Sequence, residues 1–284
     1  MNKNNYFCGK IVLIGKSNTG KSTLINKLIG KKISIVSHKK NTTRTQNIGI
    51  HTKNNYQFIY IDTPGIELKK KYINSFYFQH YKKTSMTCSD IIVFIINRTT
   101  FNQEDYNILK KIKKINSYII IVINKIDLIN PKQLLLPFID KLKKKISFCN
   151  NFIPISAKKL ININALVQTI KQFLPEQKHK YKKSITNFSS KKFFISEIIR
   201  EKIINLYNQE IPYIVNIKIE SIHINTKGIY NIYVFLLVDN TRQKKILIGK
   251  KGEKIHSCRV MSTLSIEKIL SIKISLTLWV KVKQ

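Results

Sequence analysis

From residue 10 to residue 173 the chain alternates short apolar runs with amphipathic stretches. Ile11–Ile14, Ile48–Thr52, Gln57–Ile61, Ile91–Ile96, Tyr118–Ile123 and Phe152–Ile155 have the length and β-branched content of strands. Between them, Lys21–Ile29, Tyr72–Thr84, Gln103–Ile115, Gln133–Lys144 and Asn164–Phe173 repeat apolar residues at helical spacing. Strand and helix in alternation predict an α/β fold, a mostly parallel sheet with helices on both faces, over residues 1–174. Ligands of such sheets bind at the carboxyl ends of the strands. The loops after the strands are therefore where chemistry is expected.

The alternation stops at Pro175. Residues 175–192 are polar, lysine-rich and without periodicity, which predicts a linker. Beyond it Ile195, Ile199, Ile203 and Leu206 mark one face of a helix, and Val215, Ile217 and Ile219 alternate with polar residues as a half-buried strand. The alternation flips after Glu220, the mark of a bulge. Asn225–Gly228 supplies a turn into a second strand, Tyr230–Val238. Gly249–Gly252 opens another helix, and Lys273–Lys283 closes the chain as a strand. The prediction is a smaller α+β domain over residues 193–284.

The first strand runs into Gly15, Lys16, Ser17, Asn18, Thr19, Gly20, Lys21, Ser22 and then Thr23. This is G-x-x-x-x-G-K-S in its required place between strand and helix. Backbone N–H groups of such a loop form an anion-binding concavity, and the helix start adds unpaired donors. Lys21 is expected on the β- and γ-phosphates of a nucleotide, and the Ser22 hydroxyl on Mg²⁺. A chance match is the plainer reading, but the strand and helix flanks argue against it.

Further motifs follow in order. Asp62, Thr63, Pro64 and Gly65 come after the third strand. The carboxylate can hold Mg²⁺ through a water, and the Gly65 N–H can contact a γ-phosphate. Asn124, Lys125 and Asp127 follow the fifth strand. The Asp127 carboxylate can accept from guanine N1–H and N2–H₂ together, where adenine would leave it unpaired. Asn124 would brace the loop, and the Lys125 stem would cover the base. Standing alone, Asn124 and Asp127 read as helix caps; their place after a P-loop makes the base-reading assignment the stronger. Ser156, Ala157 and Lys158, after the sixth strand, are expected to give a backbone N–H to guanine O6. Between Lys31 and Asn47, Thr42 and Thr43 compete to complete the Mg²⁺ shell when a γ-phosphate is present; Thr43, beside Arg44, is preferred. Such a segment would be a switch ordered by GTP.

Composition changes the picture in one respect. Hydrophobic content, 43%, is ordinary for a globular chain of 284 residues, but a net charge of +36 implies a polyanionic partner, nucleic acid or an anionic membrane surface. Arginine occurs at 44, 98, 200, 242 and 259 only. Lysine point charges, rather than bidentate forks, would carry the phosphate contacts. Abundant lysine, isoleucine and asparagine also fit an A+T-rich coding bias, so part of the excess is solvated surface. Four cysteines without C-x-x-C and six histidines without H-E-x-x-H predict reduced thiols and no zinc site. No apolar run is long enough for a signal peptide or a bilayer span, so a soluble, cytoplasmic protein is expected.

These motifs together resemble the Era family of bacterial GTPases. The likeness continues through Glu197–Ile203, Glu210–Tyr213, Ile248–Ile255 and Leu278–Lys283, nearly the whole chain. It implies a GTPase domain followed by a type II KH domain, with GTP/GDP and Mg²⁺ as cofactors. It implies a partner too, the 3′ end of 16S rRNA in the small ribosomal subunit, bound in the GTP state during rRNA processing and 30S assembly. Gly249, Lys250, Lys251 and Gly252 would be the RNA clamp. Asn97 and the helix after the clamp, with His256, Ser257, Cys258, Val260 and Met261, depart from the family's pattern. The residue after Gly65, where many GTPases place a water-orienting Gln, is Ile66. Catalysis is then expected to rest on charge stabilisation by Lys21 and the loop N–H groups, with Thr43 and Gly65. Two other classes fit the sequence less well: a GTPase switch on the cytoplasmic membrane face, held by the lysine-rich linker, and an RNA-binding protein without turnover. A monomer with at most peripheral contact with the inner membrane is expected.

Overall fold

The structure, a computed structural model, describes residues 5–34, 47–63, 89–115, 117–185, 191–207 and 211–283. They divide into two compact units, residues 5–34 with 47–185, and residues 191–283.

The first unit holds a six-stranded sheet in the order β2-β3-β1-β4-β5-β6. The strands are β1 (Phe7–Ile14), β2 (Asn47–Lys53), β3 (Tyr56–Asp62), β4 (Ile91–Asn97), β5 (Tyr118–Asn124) and β6 (Phe152–Pro154). All neighbours are parallel except the edge pair β2–β3. Alternate β1 residues divide between the faces. Ile11 and Leu13 meet α1 (Lys21–Ile29) and α4 (Ile163–Gln172). Val12 and Ile14 meet α2 (Gln103–Ile112) and α3 (Leu135–Lys145). β4 reads Ile-Ile-Val-Phe-Ile-Ile because both of its faces are covered, as in parallel sheets generally. The helix expected over Tyr72–Thr84 lies outside the described residues.

The expected linker needs correction. Pro175 O accepts from Cys8 N at 3.1 Å, and Gln177 N donates to Tyr6 O at 2.9 Å. Lys180 and Tyr181 N–H groups donate to Gln57 Oε1 at 2.8 and 3.0 Å. Gln57 is fully buried in β3, so its amide requires partners, and this segment's backbone supplies them. Residues 175–181 thus belong to the first unit. They show no periodicity because backbone hydrogen bonds, not an apolar face, hold them.

In the second unit β7 (Asn216–Ile224) and β8 (Tyr230–Val238) form an antiparallel hairpin, and β9 (Ile274–Val282) joins β8 in parallel. The register shifts between Ile219 and Ser221, at the bulge the alternation predicted. The helices are α5 (Lys191–Leu206), α6 (Ile211–Ile214), α7 (Thr241–Ile248) and α8 (Glu253–Leu270). Ile199, Ile203, Leu247, Cys258 and Ile266 pack with Ile232, Val234 and Leu236 on one sheet face. α6 and α7 were not foreseen. α6 has four residues, too few for a period, and α7 buries only Leu247.

Candidate functional site

β1 delivers the chain to Gly15, and α1 begins at Lys21 after Gly20 takes a left-handed turn (φ 97°). A Cβ on Gly15 would strike the Ile95 carbonyl of β4, and one on Gly20 would strike the Asn124 amide. Both glycines are therefore required by close approach of neighbouring strand ends. α1 starts without a side-chain cap, with its positive dipole end at the loop.

Lys21 is 6% exposed, and its Nζ donates to Gly15 O at 2.9 Å and Lys16 O at 2.8 Å. Burial brings its pKa down to about 8, against the pull of Asp62. An anion seated in the loop would restore the charge. Thr19 Oγ1 closes the same loop on Lys16 O at 2.9 Å.

Asp62, at the end of β3, is wholly buried. Its Oδ2 accepts from Ser22 Oγ at 2.9 Å, while Oδ1 is buried with no hydrogen bond. Burial raises its pKa, and Lys21 and the Ser22 hydroxyl work against that rise. A hard cation fits this donor set: a hydroxyl and a carboxylate, one oxygen of which lacks a partner. Thr63 turns elsewhere, its hydroxyl donating to Leu13 O at 2.6 Å.

Asn124 joins three loops. Its Nδ2 donates to Thr19 O at 2.8 Å, and its Oδ1 accepts from Lys125 N at 2.8 Å and Ala157 N at 3.0 Å. Lys125 adopts φ 63° and reaches back to Asn18 O at 2.6 Å, so its stem crosses from one motif to the other. Burial and nearby Arg98 lower its pKa, with Asp127 opposing. Asp127 Oδ1 is buried without a hydrogen bond. Ser156 N donates to Ile161 O, and Ala157 N is taken by Asn124. Among the described bonds, the N–H of Lys158 is the one in that triplet left for a ligand. The arrangement can accept a pair of N–H donors at Asp127 and offer one N–H at Lys158, which is the complement of a guanine edge.

In the second unit α7 ends at Gly249 (φ 78°), and Lys250–Gly252 make one tight turn before α8 starts without a side-chain cap. Lys251 is held at φ 49°, and Lys250 and Lys251 are exposed. Beside the turn lies a groove of about 530 Å³ lined by Lys251, Glu253, Ile255, His256, Arg259 and Leu278. The helix start and the two lysines favour a polyanion there.

The two sites have counterparts in known proteins. Residues 10–125 match the 50S ribosome-binding GTPase family, and residues 202–284 match the KH domain. GTPase Era of Buchnera aphidicola from Acyrthosiphon pisum (strain Tuc7) is 46% identical over 98% of both chains. GTPase Era of Histophilus somni (strain 129Pt) is 37% identical over 100% of this chain and 94% of that protein. The chain belongs to the GTPase Era family. An Aquifex aeolicus Era variant bound to GDP·AlF4⁻ superimposes with a TM-score of 0.91 at 36% identity, over 98% of this chain and 94% of that one. An Era in complex with MgGDPNP and nucleotides 1506–1542 of 16S ribosomal RNA gives the same values.

Thr42, Thr43, Pro64, Gly65 and Ile66 of this Era-family chain lie outside the described residues. The Lys16 side chain turns away from the loop toward α2. Its Nζ donates to Asn102 Oδ1 at 2.7 Å and pairs with Glu104 at 3.0 Å and Asp105 at 3.3 Å. Only its backbone stays with the loop. Sequence reasoning missed this tie to α2. Asn102 and Asp105 form a capping box readable as a helix start, but nothing local links it to a lysine 86 residues earlier.

Proposed function

We propose that the chain binds GTP with Mg²⁺ at the strand ends of the first unit, hydrolyses it, and binds the 3′ end of 16S rRNA in the GTP state. The role is 16S rRNA processing and assembly of the 30S subunit. One observation carries the nucleotide reading: two buried carboxylate oxygens without partners, on Asp62 and Asp127, stand at or just beyond the ends of β3 and β5. Those strands are three spacings apart, about 14 Å, which suits the reach from phosphate to base.

In this reading the N–H groups of Gly15–Thr23 cradle the phosphates, and Lys21 balances charge growing on the transferred phosphoryl group. Ser22, Thr43 and, through a water, Asp62 hold Mg²⁺, which when bound neutralises the β- and γ-oxygens. Gly65 would give its N–H to the γ-phosphate, and Thr63 and Pro64 are the chain that leads to it, the Thr63 hydroxyl being held on Leu13 O. Asn124, Lys125, Asp127, Ser156, Ala157 and Lys158 form the guanine end. Gly249, Lys250, Lys251 and Gly252 clamp RNA. The first domain then runs past residue 174 to Tyr181, and the joining segment shortens to the residues between Tyr181 and α5. The protein acts as a cytoplasmic monomer, with membrane contact at most peripheral. No helix among the described residues is long and apolar enough to cross a bilayer.

Filter binding of a 16S 3′-end oligonucleotide with a GTP analogue, with GDP and without nucleotide tests the reading. Tightest binding with the analogue is expected. Equal binding in all three conditions would remove the gating, and absence of binding would remove the RNA assignment.

A further inference from the structure

The helices of the second unit cover one face of its sheet and leave the other open. Strand register shows what stands on the open face, because directly paired residues point the same way. Phe235 of β8 pairs with Lys218 of β7 and with Trp279 of β9. Tyr233 pairs with Ser221 and Thr277, and Leu237 pairs with Asn216 and Lys281. The intervening β8 residues, Ile232, Val234 and Leu236, are fully buried on the other side.

Three aromatic rings meet here. Trp279 lies 5.5 Å from Phe235 at 24° and 5.9 Å from Tyr233 at 38°. Trp279 remains 47% exposed, whereas a tryptophan in a purely structural cluster is highly buried on average. Lys281 Nζ sits 3.7 Å over the Phe235 ring, and Lys218 is exposed at the end of the same row. No position paired across this face carries a carboxylate; Glu220 sits in the bulge, and Asp239, beyond β8, is paired with Lys283.

We propose that this face is a second contact surface for single-stranded RNA, on which an unpaired base stacks against Trp279 while Lys218 and Lys281 meet flanking phosphates. A ring with a free π-face beside cations suits nucleobases of any sequence. It does not suit an acidic protein surface, which would leave the ring unused. The surface is continuous with the clamp through β9. Leu278 lines the groove beside Gly252, and Trp279, the next residue, points to the opposite face. A strand leaving the groove over the sheet edge formed by β9 would meet Trp279 next. The inference rests on the RNA reading of the clamp and extends its footprint.

Trp279 is the only tryptophan of the chain, so its fluorescence reports this face alone. The test uses the full-length protein with two single-stranded RNAs, one of about four nucleotides, the length a clamp of this kind holds, and one of about ten. The longer RNA should bind more tightly and quench Trp279; the shorter should bind without quenching. Trp279→Ala should weaken the longer RNA by about five- to a hundredfold and leave the shorter unchanged, and Trp279→Phe should restore most of the loss. Binding of the longer RNA by the unaltered protein without any change in fluorescence would overturn the proposal, and that measurement needs no variant. Equal weakening of both RNAs by Trp279→Ala, or of neither, would overturn it too. Failure of both RNAs to bind the unaltered protein would remove the clamp and this surface together. Binding of the shorter RNA, with no gain for the longer, would remove this surface only.

Discussion

The two sites are built in opposite ways. The nucleotide site draws on four separate strand ends, and its working atoms are buried: Lys21 at 6% exposure, Asp62 at 0% and Asn124 at 1%. The clamp of the second unit lies within one stretch, the end of α7 through the start of α8, and its lysines stand in solvent. Buried polar atoms in low dielectric interact strongly and cost much when unpaired, so the first site discriminates. Exposed lysines are screened and geometrically loose, so in the proposed reading the second site's lysines hold the RNA backbone rather than read its bases. Substitutions should hence act steeply and specifically in the first unit and gradually in the second.

Asp127→Asn is expected to give the largest effect. The amide can no longer accept from both guanine donors, and preference for GTP over XTP should fall by about 10³-fold or more. Competition of GTP, XTP and ATP for a labelled site measures it; unchanged preference would remove Asp127 from base reading. Next comes Asn124→Ala, which deletes three hydrogen bonds, two of them to other loops, and should cost about 2–4 kcal/mol. Urea unfolding followed by circular dichroism should show the loss, while the transition seen by Trp279 fluorescence, which belongs to the other unit, should stay in place.

The comparison predicts a milder response in the clamp. Lys250→Asp with Lys251→Asp should weaken 16S 3′-end RNA roughly tenfold to a hundredfold and flatten the salt slope by about 1.4. GTP hydrolysis on the same preparation should stay within about twofold, because Lys21 is in the other unit. Undiminished affinity across a salt series would sink the clamp assignment. The smallest effect concerns pH. Lys21 is lowered from 10.5 to about 8 in the folded protein, so between those values the unfolded chain binds more protons. Stability of the nucleotide-free protein should therefore rise as pH rises through that window. Triphosphate affinity should move the other way, falling above pH 8 by up to about tenfold per unit as Lys21 loses its charge. Calorimetry at pH 7, 8 and 9 would show both, and a pH-independent affinity would contradict the placement of Lys21 on the phosphates.

Much of the first unit was legible because its strands are unbroken apolar runs, as in Ile91–Ile96, and its motifs sit where those runs end. The hairpin of the second unit was equally legible, down to the bulge after Glu220, since a slip of one residue turns every later side chain to the other face. Residues 175–181 read as linker because polar hydrogen bonds to Gln57, distant in sequence, leave no period. α7 was missed for the same reason, with one buried residue in eight.

The sequence by itself determined the order of the strands and of the helices with an apolar period, the two domains' chemistry and the residue types at each strand end, because period and motif are local properties of the chain. Only the tertiary structure decided which of those residues touch. It gave Asn124 to three loops at once, turned the Lys16 ammonium toward α2, and left one oxygen of Asp62 and one of Asp127 buried without partners. It also set Trp279 on an open sheet face beside two other rings. Each depends on strand order and register, which bring together residues tens of positions apart and which no local pattern encodes.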